Sequence, residues 1–256
     1  MIPLKTPSEI STMRENGKRL AWVLSSLCEE VRPEVDTASL ARRAEELIHK
    51  AGGEPAFKGY RGYPAVICTS INDEVVHGIP SSKRRLQEGD VLSIDIGLVR
   101  DGLYADVATT VPVGEVSETA RHLLAVTEQG LWRGIERVTI RNRLSDVSHA
   151  IGSYVEGEGL HVVTEYVGHG IGRRLHEDPQ IPNYGPPGRG PRLRVGMVLA
   201  IEPMVKTEPG PTRVLDDYWT VVTGNGGLAA HFEHTVALTE TGADVLTQGG
   251  EGRRSG

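Results

Sequence analysis

The chain has 256 residues, 38% of them apolar, a formal net charge of −6 and two cysteines, Cys28 and Cys68. Its length suits one large domain or two small ones with a sizeable core, and its acidic balance argues against nucleic acid or an anionic membrane as the main partner. Two cysteines argue against a disulfide framework and for a reducing cytoplasm; the chain shows neither a signal peptide nor an apolar run of about 18 residues.

The first element is a helix. Thr6-Pro7-Ser8-Glu9 is a capping box with proline at the first helical position, and Ile10, Met13, Leu20, Leu24 and Leu27 follow at helical spacing. Asp36-Thr37 opens a second helix through Leu40, Ala44, Leu47 and Ile48, closed by Gly52-Gly53. A strand over residues 65–70 leads to His77-Gly78-Ile79-Pro80.

Residues 86–111 read as a β-hairpin. Asp101-Gly102 is a two-residue turn, which pairs Arg100 with Leu103, Gly97 with Asp106 and Asp95 with Ala108. Asp95 and Asp106 are then diagonal neighbours on one face. A cation between them would relieve their repulsion; a turn-capping Asp95 beside a solvated Asp106 gives the same pattern.

Two further helices are expected over residues 118–137 and 145–158, the second closed by Gly159. The second half repeats the first. Leu86-Gln-Glu-Gly-Asp-Val-Leu-Ser-Ile-Asp95 matches Leu193-Arg-Val-Gly-Met-Val-Leu-Ala-Ile-Glu202 at five apolar or glycine positions and at the final acid, at an offset of 107. Val76-His77-Gly78-Ile79 echoes Gly168-His169-Gly170-Ile171 at an offset of 92. Chance likeness among apolar strands is the alternative. Duplication predicts two halves, residues 6–112 and 117–240, within one catalytic domain, residues 1–248, followed by a flexible tail over 249–256. Their acid-bearing strands would share a central sheet with helices on its outer face.

The second half also offers His169 in Gly-His-Gly, Glu202 in Ala-Ile-Glu-Pro-Met and Glu233 in Phe-Glu-His. Alone, each reads as an exposed acid or a satisfied core histidine. Four carboxylates and one imidazole together suit two divalent first-row ions sharing bridging acids, although spacing leaves open which acids bridge.

Seven ordered motifs between residues 6 and 247 resemble those of type I methionine aminopeptidases. They are His77-Gly-Ile-Pro, Ile94-Asp95, Asp101-Gly-Leu-Tyr-Ala-Asp106, Gly168-His-Gly-Ile-Gly172, His176-Glu-Asp-Pro-Gln180, Ile201-Glu-Pro-Met204 and Phe232-Glu-His234. The resemblance implies an α+β pita-bread fold, a curved antiparallel β-sheet with helices outside. It also implies removal of the initiator methionine from nascent proteins whose second residue is small.

By the same resemblance, Asp95 is a ligand of one metal, Asp106 and Glu233 bridge, and His169 and Glu202 hold the other metal. The ions would be cobalt, manganese, iron or zinc. Glu202 is the expected general base, His176 stabilises the oxyanion, and His77 contacts the peptide nitrogen or substrate backbone. Phe57, Tyr60, Tyr63, Cys68, Leu175 and Trp219 line the methionine pocket. Phe57, Leu175 and Tyr104-Ala105 depart from the usual pattern without touching a matched ligand. Expected partners are the N-terminal segments of newly made proteins, with a ribosome contact and no specific nucleic-acid or membrane site, and the enzyme is expected to be a cytoplasmic monomer.

Two rivals share these features. Proline-specific aminopeptidases and prolidases use the same ligand types but carry a large preceding domain, whereas here the first catalytic helix begins by Thr6. A catalytically inactive pita-bread binding protein would have lost ligands, and all five are present. G-x-S-x-G, H-E-x-x-H and C-x-x-C are absent.

Overall fold

The structure is a computed structural model that describes residues 2–249. The expected tail lies outside these residues beyond Gly249. Helix α1 (Pro7–Cys28) starts on its capping box: Thr6 Oγ1 accepts from the Glu9 amide, and Glu9 Oε2 accepts from the Thr6 amide. Asp36 caps α2 (Thr37–Lys50) through the Ser39 amide, and Ser117 caps α3 (Glu118–Ile135) through the Ala120 amide. The fourth helix, α4 (Leu144–Gly157), begins one residue earlier than expected. Among the described residues, no helix is long and apolar enough to cross a membrane.

The helices pack on a nine-stranded sheet. Its strands are β1 (Glu54–Pro55), β2 (Ile67–Ile71), β3 (Val91–Arg100), β4 (Leu103–Pro112), β5 (Gly168–Gly170), β6 (Glu177–Ile181), β7 (Val198–Ile201), β8 (Glu233–Thr239) and β9 (Gly242–Val245). The order is β1-β3-β4-β8-β7-β5-β6, with β2 also on β3 and β9 also on β8. Two short three-stranded sheets complete the fold. One joins His161–Val162, Met204–Lys206 and Ala229–His231; the other joins Glu74–Val76, Thr212–Val214 and Val221–Thr223.

Strand alternation divides the sheet's faces. Leu92, Ile94, Ile96 and Leu98 of β3 pack with Ala105 and Val107 of β4 against residues of α1 and α2. Leu199, Ile201, Val236 and Leu238 do the same against α3 and α4. Asp95, Asp106 and Glu233 therefore point to the opposite face. Asp101 and Gly102 both have positive φ, 52° and 71°, and the hairpin register pairs Arg100 with Leu103, Gly97 with Asp106 and Asp95 with Ala108, as expected.

The two halves meet at β4 and β8 through only two register pairs, Glu233 with Ala108 and His234 with Val107. A threonine hydroxyl bridges the strands on each side of that short ladder. Thr110 Oγ1 accepts from the His231 amide and donates to the His231 carbonyl, while Thr235 Oγ1 accepts from the Asp106 amide and donates to the Asp106 carbonyl. These hydroxyls replace direct backbone pairs as the strands diverge.

The echo between His77 and His169 is not a structural equivalence. His169 of β5 pairs with Ala200 of β7, whereas the strand in the corresponding place beside β3 is β2, which pairs Ser70 with Ser93. With Asp95 aligned on Glu202, Ser70 is the counterpart of His169. His77 instead follows Glu74–Val76, in the left-handed region at φ 61°.

Candidate metal centre and active site

Two alternate rungs on one face of the sheet, separated by the rung of Ile96, Val107, His234 and Ile201, carry four of the five predicted ligands. One runs Cys68, Asp95, Ala108, Glu233; the other contains Gly97 with Asp106, and His169 with Ala200 and Thr235. The Thr235 hydroxyl, bonded to the Asp106 amide and carbonyl, joins the two parts of the second rung. His169 is flanked by glycines because β5 is squeezed between neighbours. A Cβ at Gly168 would collide with the Ala200 carbonyl, and one at Gly170 with the Asp178 carbonyl.

Ligand atoms of Asp106, His169 and Glu233 lie within 4.8 Å of one another. Asp95 is outside that triplet but on the Glu233 rung. Glu202 follows β7, with Oε1 3.4 Å from His169 Nε2 and Oε2 3.5 Å from His231 Nε2. Asn183 Nδ2 donates to the Glu202 carbonyl at 3.0 Å.

These donors fit divalent cations. Asp95 Oδ1, Asp106 Oδ1 and Glu233 Oε1 are buried without a hydrogen-bond partner among the described residues. His169 Nδ1 must donate to the Gly170 carbonyl 2.9 Å away, so Nε2 keeps its lone pair facing Glu202. Two acceptors in that relation need a cation or a proton between them. Oxygen-rich ligands with one imidazole suit divalent first-row metals.

The electrostatics agree. Burial pushes the Asp95 carboxyl up to about 7, opposed by His231 and reinforced by Glu202. Burial also raises Glu202 to about 7, with His169 opposing it. Asp106 and Glu233 are raised well above the usual carboxylate range by burial and then by neighbouring acids.

Histidines and aromatic side chains line the same cavity as the acids. His176 stacks on Tyr60 at 5.2 Å between ring centroids, and its Nδ1 lies 3.0 Å from the Tyr60 hydroxyl. Burial lowers its pKa to about 3, with His169 contributing, so the ring is neutral near pH 7. His77 is likewise lowered to about 4 by burial and then His231, and lies edge-on to Trp219. Trp219 also meets Tyr63 edge-on at 5.1 Å. The Tyr63 hydroxyl is within 3.1 Å of the Ile67 and Gly78 carbonyls.

One cavity of about 140 Å³ collects the whole set. Fourteen residues line it: thirteen singled out from the sequence, Phe57, Tyr60, Tyr63, Cys68, His77, Asp95, Asp106, His169, Leu175, His176, Glu202, Trp219 and Glu233, together with Arg61. Sequence reasoning missed Arg61, whose guanidinium lies over Tyr60, and His231, buried beside Glu202. A histidine two positions before Glu233 was the available signal for the second.

The sequence profile of metallopeptidase family M24 matches residues 11–240. The chain belongs to metallopeptidase family M24. Methionine aminopeptidase 1 of Bacillus subtilis (strain 168) is 52% identical over 248 residues, covering 97% of this chain and 100% of that protein. Methionine aminopeptidase 1 of Mycobacterium tuberculosis (strain CDC 1551 / Oshkosh) is 45% identical over 97% of this chain and 96% of its own length. The crystal structure of methionine aminopeptidase from Thermotoga maritima matches this M24 chain with a TM-score of 0.95 and 47% identity, over 97% of this chain and 100% of that one. The curved antiparallel sheet and outer helices are the expected pita-bread fold. That fold extends to the prolidase from Pyrococcus furiosus, with a TM-score of 0.73 and 24% identity over 96% of this chain and 65% of that chain; at that identity the likeness concerns the fold alone.

Proposed function

We propose that this M24 metallopeptidase is a methionine aminopeptidase. It removes the initiator methionine from newly made proteins in the cytoplasm when the second residue is small. Asp95, Asp106, His169, Glu202 and Glu233 hold two divalent ions, drawn from cobalt, manganese, iron or zinc. The observation that carries the reading is the meeting of these ligands, both substrate-facing histidines and the apolar lining in one cavity. Near-complete coverage by methionine aminopeptidases at about half identity supports it over the prolidase alternative.

Bound there, the ions supply Lewis acidity toward water and the scissile carbonyl, together with a dock for the free α-amine. Glu202 accepts a proton from the attacking water and returns it to the leaving amine. Its raised pKa keeps both protonation states accessible near neutrality in the metal-free protein. Neutral His176 receives the Tyr60 hydroxyl at Nδ1 and presents Nε2–H to the developing oxyanion. His77 contacts the peptide nitrogen or substrate backbone. Phe57, Tyr60, Tyr63, Cys68, Leu175 and Trp219 enclose the thioether, since sulfur packs well at aromatic edges.

The enzyme works as a monomer on emerging chain ends, with a ribosome contact bringing it to them. Protein reconstituted with each of the four metals should release methionine from Met-Ala-Ser and leave Ala-Pro peptides uncut. Preferential cleavage at proline would instead establish the prolidase reading, and no cleavage with any of the four metals would indicate a binding protein.

A further inference from the structure

His231 has no part in the mechanism above, yet it sits against the general base. It ends the strand Ala229–His231, is 1% exposed, and has its backbone fixed on both sides by the Thr110 hydroxyl, itself 2.8 Å from Ser93 Oγ. Neither ring nitrogen has a hydrogen-bond partner among the described residues. A buried imidazole N–H left without an acceptor is costly. The acceptor in position is Glu202 Oε2, 3.5 Å from Nε2.

The other Glu202 oxygen is committed elsewhere. Oε1 faces His169 Nε2 at 3.4 Å, and that nitrogen is the lone-pair side of a ring whose Nδ1 is tied to the Gly170 carbonyl. Two imidazoles therefore straddle one carboxylate in different capacities. His169 offers a lone pair, so an ion shared with Oε1 satisfies both. His231 can only satisfy Oε2 by donating.

We propose that His231 is a positioning residue for Glu202: its Nε2–H donates to Oε2 and turns Oε1 toward the ion held by His169. Contacts of this kind are often long in an unliganded site and tighten when ligands bind. Partners that orient a metal ligand in this way commonly change metal affinity by about 10–100-fold. The proposal rests on Glu202 being a ligand, as in the functional reading.

Titration of Mn²⁺ into chelator-stripped protein, followed by calorimetry, separates the two ideas. Glu202→Gln identifies the binding step that depends on Glu202; if both steps survive intact, the ligand reading itself fails. If that step is lost, His231→Leu should weaken the same step by about 10–100-fold and lower kcat more than it changes KM. His231→Gln, which restores a donor, should recover most of the affinity. Wild-type affinity in His231→Leu overturns the proposal, as does equal loss in Leu and Gln variants. Should His231→Leu not fold, ring-nitrogen NMR of the wild-type Mn²⁺-free, Zn²⁺-loaded protein decides: Nε2-protonated His231 is expected, and an Nδ1-protonated ring overturns it.

Discussion

Lys5 and Glu177 form a 2.5 Å ion pair whose side chains are 1% and 2% exposed. Glu177 Oε1 also accepts from the Arg173 and Arg174 amides, so one carboxylate fastens the segment before α1 to the turn leading into Leu175 and His176. Burial lowers the Lys5 pKa even though Glu177 opposes that shift. Lys5→Met strands a buried carboxylate and should cost about 3–5 kcal/mol. Calorimetry should show Tm falling by roughly 10 °C, with kcat reduced as the His176 turn loosens. An unchanged Tm would rule out a stabilising role for the pair.

The acid cluster gives the metal-free protein an inverted pH response. Folded-state pKa values of Asp95 and Glu202 rise to about 7 through burial, so the folded state keeps protons that the unfolded chain releases near pH 4. Their share of stability therefore falls as pH climbs from about 4 to about 7, while His77 and His176, lowered to about 4 and about 3, add an opposite share that rises until about 6.5, so the acids set the slope only above that. Thermal melts in chelator should give a higher Tm at pH 7 than at pH 8, where only the raised acids still titrate, and divalent metal should raise Tm most at pH 8. A chelated protein more stable at pH 8 would contradict the clustering of ionised acids.

His176→Ala should lower kcat by about 10²–10³ while leaving metal content unchanged, because the lost group is the proposed oxyanion donor. Tyr60→Phe should have the same direction and a smaller size, since it removes only the hydroxyl that favours the Nε2–H tautomer. Loss of bound metal with unchanged activity per ion would reassign His176 to the metal site.

Asp106→Asn removes the charge of the proposed bridging acid while preserving its shape. Elemental analysis after dialysis should find both ions lost. The chelated variant should melt higher than chelated wild type at pH 8, because one member of a buried like-charge cluster has gone. Two retained ions would break the bridging assignment.

Much of this site is local in sequence. Asp101-Gly102 fixes the hairpin to the residue because both turn positions take positive φ, and from that register the shared face of Asp95 and Asp106 follows. Other parts depend on distant contacts. Lys5 finds its partner 172 positions away, and Thr110 and Thr235 read as ordinary strand residues until two diverging strands meet their hydroxyls. The His-Gly echo misleads because the same dipeptide occupies a left-handed bend at His77 and an extended strand at His169. His231 is hidden by its neighbours Phe232 and Glu233, whose motif draws attention past it.

The narrow β4–β8 ladder also makes metal supply a matter of folding order. Asp106 approaches from one side of a seam held by two backbone pairs, while His169 and Glu233 approach from the other. An ion drawing on all three can be captured only after the halves have docked, and it then acts as the latch on that docking. Amide hydrogen exchange at Val107 and His234 should accelerate on chelation before any helix loosens, making the seam a reporter of how much metal the cell provides.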